Sequence, residues 1–228
     1  MEKLTSNSAV IDKLLNGGYE KDTITTIYGP AGSGKTLLCL LCSIKVSESK
    51  KVIYVDTEGG YSIERLKQLT PNFKEVLEKM LFYRPTSFQE QKTAFNKLKS
   101  VMDDKVGLII IDTISMLYRL ELGKSDEIYD INRELGLQIS YLNEIARKKN
   151  IAVLITNQVY ADFKNKNNVK MVGGDILKYG SKCLIELKSY KNGIREAILK
   201  KHRSINEGKK VLFKIVQNGI EEADKRTL

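Results

Sequence analysis

The stretch GPAGSGKT, residues 29–36, decides the fold of this chain. It fits the pattern G-x-x-x-x-G-K-[ST] at every position. A β-branched run at Thr23–Tyr28 precedes it and an apolar run from Thr36 follows it, so we interpret it as the loop between a strand and a helix. In such a loop the glycines let backbone N–H groups surround phosphates, and the start of the helix adds positive potential. The stretch therefore predicts a phosphate-binding site.

The residues of this loop have expected roles in binding ATP and Mg²⁺. Lys35 is expected to reach the transferred phosphoryl group, and the Thr36 hydroxyl to bind Mg²⁺. Lys35 is thus both a binding residue and a candidate catalytic residue. The candidate ATP-binding residues of the loop are Gly29, Pro30, Ala31, Gly32, Ser33, Gly34, Lys35, Thr36 and Leu37.

Carboxylates end two of the apolar runs that follow the loop. Asp112 closes VGLIIID, where it is expected to hold Mg²⁺ through water. Asp56 and Glu58 follow KVIYV, and an acid there is free to activate the attacking water as a general base. Glu58 is our candidate for that base, and Asp56 is expected to be a structural or supporting group. The alternative is that these acids simply end strands.

The order of elements predicts an α/β fold with a mostly parallel sheet flanked by helices. Nearly continuous apolar runs alternate with amphipathic helical patterns through the first 156 residues, which is typical of a sheet covered on both faces. Three later runs lack helices between them, and Asn192-Gly193 is a type I′ turn signal, so we expect an antiparallel C-terminal extension. The predicted strands are Thr23–Tyr28, Lys51–Asp56, Val106–Asp112, Ile151–Thr156, Cys183–Lys188, Arg195–Lys201 and Lys210–Val216.

The composition restricts the class of protein. A length of 228 residues suits one domain, which we place at 1–220 with a flexible tail at 221–228. A hydrophobic content of 42% without an 18-residue apolar run excludes a helical membrane protein. The N-terminus has neither a secretory nor a transit pattern, so the expected location is the cytoplasm.

The net charge of +10 is concentrated near the end of the chain, because residues 159–228 carry +8 of it. A basic surface of this kind commonly binds nucleic acid or another polyanion. Lysines that serve only solubility would explain the total, but would explain the clustering less well.

The three cysteines allow two interpretations. Cys39 and Cys42 lie one helical turn apart in an apolar stretch and are candidates for a redox pair or half of a metal site. No second Cys/His pair exists, and His202 is the only histidine. Packing as small buried hydrophobes is the favoured interpretation.

Five motifs together resemble the RecA/RadA-type recombinases, and most closely their archaeal RadB paralogues. The resemblance spans about Thr5 to Val216 and implies a RecA-like ATPase core. It also implies roles for single residues: Glu58 as the catalytic glutamate, Arg65 as the residue packed on adenine, and Gln158 as the sensor of the γ-phosphate. Without the family, Arg65 is a helix-surface charge and Gln158 a polar strand end. The motifs are GPAGSGKT, YVDTEGGYSIERL, LIIIDTISMLYR, VLITNQV and GGDILKYGSKCLIEL.

The resemblance also implies two DNA-binding loops, one after Tyr118-Arg119 and one between Val159 and Gly174. The second loop is rich in lysines, which would neutralise phosphates, and has aromatic side chains that stack on unpaired bases. A solvated loop with inward-packed aromatics is the alternative. The candidate DNA-binding residues are Lys164, Lys166, Lys170 and Phe163.

Lys201 and Arg203 leave two interpretations open. Similar K-x-R pairs in RecA-like and KaiC-like ATPases reach a neighbouring subunit's γ-phosphate, which would couple hydrolysis to the assembly of a homo-oligomer. The alternative is a basic patch facing DNA, shared with Lys200, Lys209 and Lys210.

The resemblance implies a DNA repair and recombination protein that binds ATP and single-stranded DNA. The chain shows neither an N-terminal double-strand-binding module nor the Phe-x-x-Ala linker that joins recombinase protomers. We therefore expect an accessory protein of a RadA-type recombinase, with weak ATP hydrolysis. The alternatives are a strand-exchange enzyme that forms its own filament and a KaiC-like regulatory ATPase without a DNA function.

Overall fold

The computed structural model of the protein describes residues 2–124, 128–161 and 169–224. Its central element is a nine-stranded mixed sheet. Two smaller sheets of two strands each accompany it. The strands are β1 (Lys3–Leu4), β2 (Tyr19–Glu20), β3 (Thr23–Tyr28), β4 (Lys51–Asp56), β5 (Met80–Tyr83), β6 (Val106–Asp112), β7 (Ala152–Asn157), β8 (Val159–Ala161), β9 (Val169–Met171), β10 (Cys183–Ser189), β11 (Ile194–Lys201), β12 (Lys210–Val216) and β13 (Gly219–Glu222).

Helices connect and cover these strands. Ser62 and Ser87 begin two of them, because each serine hydroxyl accepts a hydrogen bond from a backbone N–H three residues later. The helices are α1 (Ala9–Leu14), α2 (Lys35–Ser47), α3 (Ile63–Leu69), α4 (Phe73–Glu78), α5 (Phe88–Val101), α6 (Met116–Leu122), α7 (Ile128–Lys149) and α8 (Gly174–Gly180).

The strand order of the large sheet is β13-β12-β11-β10-β3-β7-β6-β4-β5. Neighbouring strands from β10 through β5 pair in parallel, and β10 to β13 pair antiparallel. The predicted α/β fold with an antiparallel C-terminal extension is therefore confirmed. The carboxyl ends of β3, β4, β6 and β7 share one edge of the sheet, which we call the carboxyl edge.

Two hydrophobic cores lie on the two faces of the sheet. One contains α1, α2 and the inner face of the C-terminal strands, and the other contains α5 and α7. Helix α2 is buried almost all round, and Cys39 and Cys42 lie in it as free, buried thiols. Burial raises the pKa of both thiols, as expected for cysteines that serve packing.

The predicted turn at Asn192-Gly193 is present. Both residues have positive φ, 58° and 72°, and the Ile194 N–H donates to the Lys191 carbonyl across them. This backbone twist matches that of the flanking strands, β10 and β11, which pair antiparallel.

The structure corrects two boundaries at the edges of the large sheet. Residues 221 and 222, which were predicted to begin a flexible tail, end strand β13 and pair with β12. Strand β5 was not predicted, because MLFY is too short for its period to show; it forms the other edge by pairing with β4. Among the described residues, no helix is long and apolar enough to cross a membrane.

Candidate nucleotide site at the carboxyl edge of the sheet

The loop at residues 29–36 connects β3 to α2 in the conformation that its glycines allow. Gly32 and Gly34 have φ of 72° and 103°, in the left-handed region that favours glycine. A Cβ atom on Gly29 would lie 2.5 Å from the Leu187 carbonyl oxygen, so only glycine fits between β3 and β10. Around Gly32 the space is open, which leaves the outer side of the loop accessible.

Lys35 begins α2 and folds back over the loop. Its Nζ donates to the carbonyl oxygens of Gly29 at 3.0 Å and Pro30 at 2.9 Å. Burial lowers the pKa of the Lys35 ammonium, and the carboxylates of Glu58 and Asp112 act in the opposite direction. Lys35 therefore contacts the loop directly and is influenced by the charges of both predicted acids.

Asp112 is held rigidly at the end of β6. The Tyr54 hydroxyl donates to its Oδ2 at 2.8 Å, and the Thr156 hydroxyl donates to its Oδ1. These contacts join three adjacent parallel strands, because Tyr54 lies on β4, Asp112 on β6 and Thr156 on β7. Asp112 is only 3% exposed, and hydrogen bonds to both of its oxygens fix its orientation.

Glu58 lies exposed just beyond β4 and faces the tips of β6 and β7. Its Oε1 accepts hydrogen bonds from the Thr113 hydroxyl at 2.8 Å and from Gln158 Nε2 at 2.5 Å. Thr57 secures this arrangement, because its hydroxyl donates to the Thr113 carbonyl at 2.7 Å. The structure thus brings together Glu58 and Gln158, two residues 100 positions apart in the chain.

Gln158 also connects the site to the hairpin of β8 and β9. Its carbonyl oxygen accepts a hydrogen bond from the Val172 N–H at 3.2 Å, immediately after β9. The neighbouring Asn157 makes a parallel connection: its side chain donates to the Val172 carbonyl at 2.8 Å, and its own carbonyl accepts from the Gly29 N–H at 3.4 Å. The hairpin is therefore joined to the nucleotide site at the start of β8 through the chain itself, and at the end of β9 through these hydrogen bonds.

Asp56 has the structural role that the sequence suggested. Its two carboxylate oxygens accept from the N–H groups of Gly60 at 3.1 Å and Tyr61 at 3.2 Å, which closes the loop after β4. This loop passes close to the phosphate loop, since a Cβ atom on Gly60 would be 3.8 Å from the Thr36 hydroxyl.

Arg65, the residue expected at the adenine, lies on α3 and reaches the turn between β12 and β13. Its guanidinium donates to the carbonyl oxygens of Val216 at 2.7 Å and Gln217 at 2.9 Å. Ile215, one residue earlier, lies 3.4 Å from the position of a Cβ on Gly34. Arg65 is therefore fixed at the same corner of the molecule as the phosphate loop.

Only one of the predicted DNA-binding residues can be placed. Lys170 is exposed on β9, opposite Tyr160 of β8, whose side chain is 49% exposed. Phe163, Lys164 and Lys166 lie outside the described residues, between β8 and β9 in the sequence.

Lys201 and Arg203 lie at the opposite edge of the sheet from the phosphate loop. Lys201 Nζ donates to the carbonyl oxygens of Lys178 and Ser181, each at 2.7 Å. Arg203 forms ion pairs with Glu20 and Asp22, just before β3 begins. Neither residue reaches the phosphate loop of its own chain, and a role at a neighbouring subunit would require these contacts to change.

The residues at the carboxyl edge fit ATP and Mg²⁺. The Ser33 hydroxyl is fully buried in the loop and has no hydrogen-bond partner among the described residues, which suits a phosphate oxygen. Hydroxyl and carboxylate oxygens from Thr36 and Asp112 are the ligands that Mg²⁺ prefers.

Sequence reasoning missed the residues that orient the two acids. Tyr54, Thr113 and Thr156 donate to Asp112 or Glu58, yet each lies inside an ordinary strand or strand end. The pairing of Asp56 with Asp112 in the β4–β6 register sets these distances, and no sequence signal specifies that register.

Comparison with known proteins identifies close similarities over almost the whole chain. The family model described as Rad51 matches residues 1–223. A protein of Methanococcus maripaludis (strain C7) named DNA repair and recombination protein RadB is 46% identical over 219 residues, covering 95% of this chain and 99% of its own length. Its namesake in Methanobrevibacter smithii is 44% identical over 226 residues, covering 96% and 95%.

A solved structure shows the same fold. The crystal structure of the RadB recombinase superimposes with a TM-score of 0.83 at 36% sequence identity, covering 97% of this chain and 100% of that one.

Proposed function

Because this chain belongs to the Rad51 family, in its RadB branch, we propose that it is an ATP-binding protein of DNA repair and homologous recombination. In this proposal it binds DNA, hydrolyses ATP weakly and assists a RadA-type recombinase. The names of its relatives, which share 38–46% of their residues with it over nearly their full length, support the repair and recombination role.

The residues at the carboxyl edge divide the work of the ATP site. Backbone N–H groups of the loop and Lys35 would bind the phosphates of ATP, while Thr36 and Asp112 would hold Mg²⁺. When bound, ATP would supply the γ-phosphoryl group that is transferred to water, and Mg²⁺ would supply positive charge against the phosphate oxygens. Glu58 orients the attacking water and accepts its proton, since its carboxylate is exposed and already fixed by Thr113.

The observation that carries this proposal is the double contact of Gln158. Its side chain donates to the general base Glu58 at 2.5 Å, and its backbone carbonyl accepts from Val172 at the base of the β8–β9 hairpin. A change in the position of Glu58 on nucleotide binding would therefore act directly on the segment that we propose binds DNA. This connection favours a DNA-linked ATPase over a regulatory ATPase without a DNA function.

The accessory role rests on the contacts of Lys201 and Arg203. Both side chains are engaged with their own chain, Lys201 with the carbonyl oxygens of Lys178 and Ser181, and Arg203 with Glu20 and Asp22. In this proposal the partner is therefore a full-length recombinase rather than a filament of this protein alone.

ATP turnover by the purified protein, with and without single-stranded DNA and at low and high salt, tests the proposal. We expect slow turnover, together with DNA affinity that falls steeply as salt rises. Glu58→Gln serves as the control for contaminating ATPases.

Three other outcomes would contradict the proposal. Strong, salt-sensitive stimulation by DNA would identify a self-assembling recombinase. Turnover without any DNA affinity at low salt would identify a regulatory ATPase. Absence of ATP binding would remove the nucleotide-dependent role altogether.

A further inference from the structure

The antiparallel extension of the sheet packs directly on the phosphate loop. The Leu187 carbonyl of β10 lies against Gly29, and Ile215 and Phe213 of β12 lie against Gly34. The C-terminal strands therefore form one wall of a site whose predicted phosphate-binding, metal-binding and catalytic residues come from motifs in the first 158 residues. The described residue that bonds this wall to the loop through a charged side chain is Arg195, which none of those motifs includes.

Arg195 forms two hydrogen bonds with the tip of the phosphate loop. From β11, its Nε and Nη2 both donate to the Gly32 carbonyl oxygen, at 3.2 Å and 3.1 Å. Its Nη1 donates to the Gly193 carbonyl at 2.8 Å, in the turn just before the strand. The guanidinium is thus fixed from both sides, between the loop and its own hairpin.

The hydrogen bonds from Arg195 restrain the Gly32 peptide, which has few other contacts. Its φ of 72° lies in the left-handed region, and apart from its two chain neighbours no described residue has a heavy atom within 4 Å of a Cβ built on it. The neighbouring side chains do not pack against it, so the bonds to its carbonyl restrict this peptide. Since glycine has the largest conformational entropy in a free loop, restraining it before ATP arrives reduces the cost of binding.

We propose that Arg195 is a positioning residue of the nucleotide site: through the Gly32 carbonyl it holds the phosphate loop in the conformation that receives a nucleoside triphosphate. This inference rests on the proposed function, because it assigns a second element to the same ATP site. It also connects the C-terminal hairpin, through Gly32, to the loop that would bind the phosphates. Arg195 acts through the backbone of Gly32 and makes no contribution to the chemical step.

Nucleotide binding and loop exchange test this role. We expect Arg195→Met to weaken ATP binding, measured by calorimetry, about tenfold, as for loss of a charge-assisted hydrogen bond that is partly exposed. Turnover at saturating ATP should stay within twofold of the parent, so that KM rises while kcat does not. Arg195→Lys, which provides one donor in place of the planar fork, should restore part of the affinity.

Hydrogen exchange tests the same role without nucleotide. Amides of residues 31–34 should exchange faster in Arg195→Met than in the parent chain, while the urea midpoint of unfolding is unchanged. Lys191→Met is the matched control: it removes one positive charge from the exposed turn of the same hairpin, and should leave affinity and exchange as they are.

Each of the following results would overturn the inference or the function on which it rests. Unchanged ATP affinity and unchanged loop exchange in Arg195→Met would show that the contact is incidental. An equal loss of affinity in Lys191→Met would show a general charge effect. If the parent chain binds no ATP, the proposed function fails, and unchanged exchange at residues 31–34 would overturn the positioning role separately.

Discussion

Lys35 is the residue at which the assignment of the phosphate loop is tested most directly. Its ammonium is buried against the loop carbonyls and has no substitute there among the described side chains. We expect Lys35→Ala to reduce ATP affinity about 100-fold, the upper range for losing a charge-assisted hydrogen bond. Lys45→Ala on the same helix removes an exposed partner of Glu48 and should change nothing. Retained affinity in Lys35→Ala would contradict the assignment.

Glu58 separates binding from chemistry at the same site. Glu58→Gln keeps an amide oxygen that can accept from Thr113, but it cannot take a proton from water. ATP affinity should therefore stay within twofold, while kcat falls by a factor of about 10² to 10⁴. Glu64→Gln, which alters an exposed ion pair with Lys67, is the matched control for loss of a charge. Turnover equal to that of the parent chain would rule out the role of general base.

At the scale of elements, two glycines test how α7 and α8 pack. Gly136 lies inside α7 with open space around it, so Gly136→Ala should stabilise the protein by about 0.5–1 kcal/mol. Gly180 ends α8, where a Cβ atom would lie 2.3 Å from Ile139 Cγ2 in the core. Gly180→Ala should destabilise the protein by about 1–3 kcal/mol through overpacking.

Urea unfolding of both glycine variants measures these changes as shifts in the midpoint at constant slope. Stabilisation by Gly180→Ala would show that the α7–α8 interface differs from the one described, and destabilisation by Gly136→Ala would show that the space beside Gly136 is not open.

For the whole molecule, the distribution of charge predicts how DNA affinity depends on salt. Replacing three lysines of the proposed DNA segment, Lys164, Lys166 and Lys170, by alanine should lower single-strand affinity. It should also reduce the slope of log K against log[salt] by about 2, at roughly 0.7 per phosphate contact. The measurement is a salt titration of binding to a labelled oligonucleotide.

A second triple variant provides the matched control for this titration. Lys45, Lys50 and Lys149 lie near the amino ends of the parallel strands, where Lys149 pairs with Asp104 and Lys45 with Glu48. Replacing them removes the same charge from the opposite edge of the sheet. An equal change of slope in both variants would mean that the net charge of +10, rather than one segment, governs binding.

The sequence by itself determined the fold class and the nucleotide loop, because these depend on local patterns. A loop of eight residues with two fixed glycines, Lys35 and Thr36 carries its own chemistry wherever a strand and a helix flank it. Apolar runs buried on both faces predict parallel strands for the same local reason, and the parallel strands β3, β4 and β6 begin and end where the sequence indicated. Strands β5 and β13 were missed because each has only four residues, too few to show a hydrophobic period.

Only the tertiary structure decided which side chains meet at the carboxyl edge. The contact of Glu58 with Gln158 depends on the β4–β6–β7 order, and that of Arg195 with Gly32 on a hairpin that folds back beside β3. Sequence separations of 100 and 163 residues put these pairs beyond any local pattern. Strand order and register are set by burial summed over the whole sheet, so the geometry of the site is a property of the complete fold.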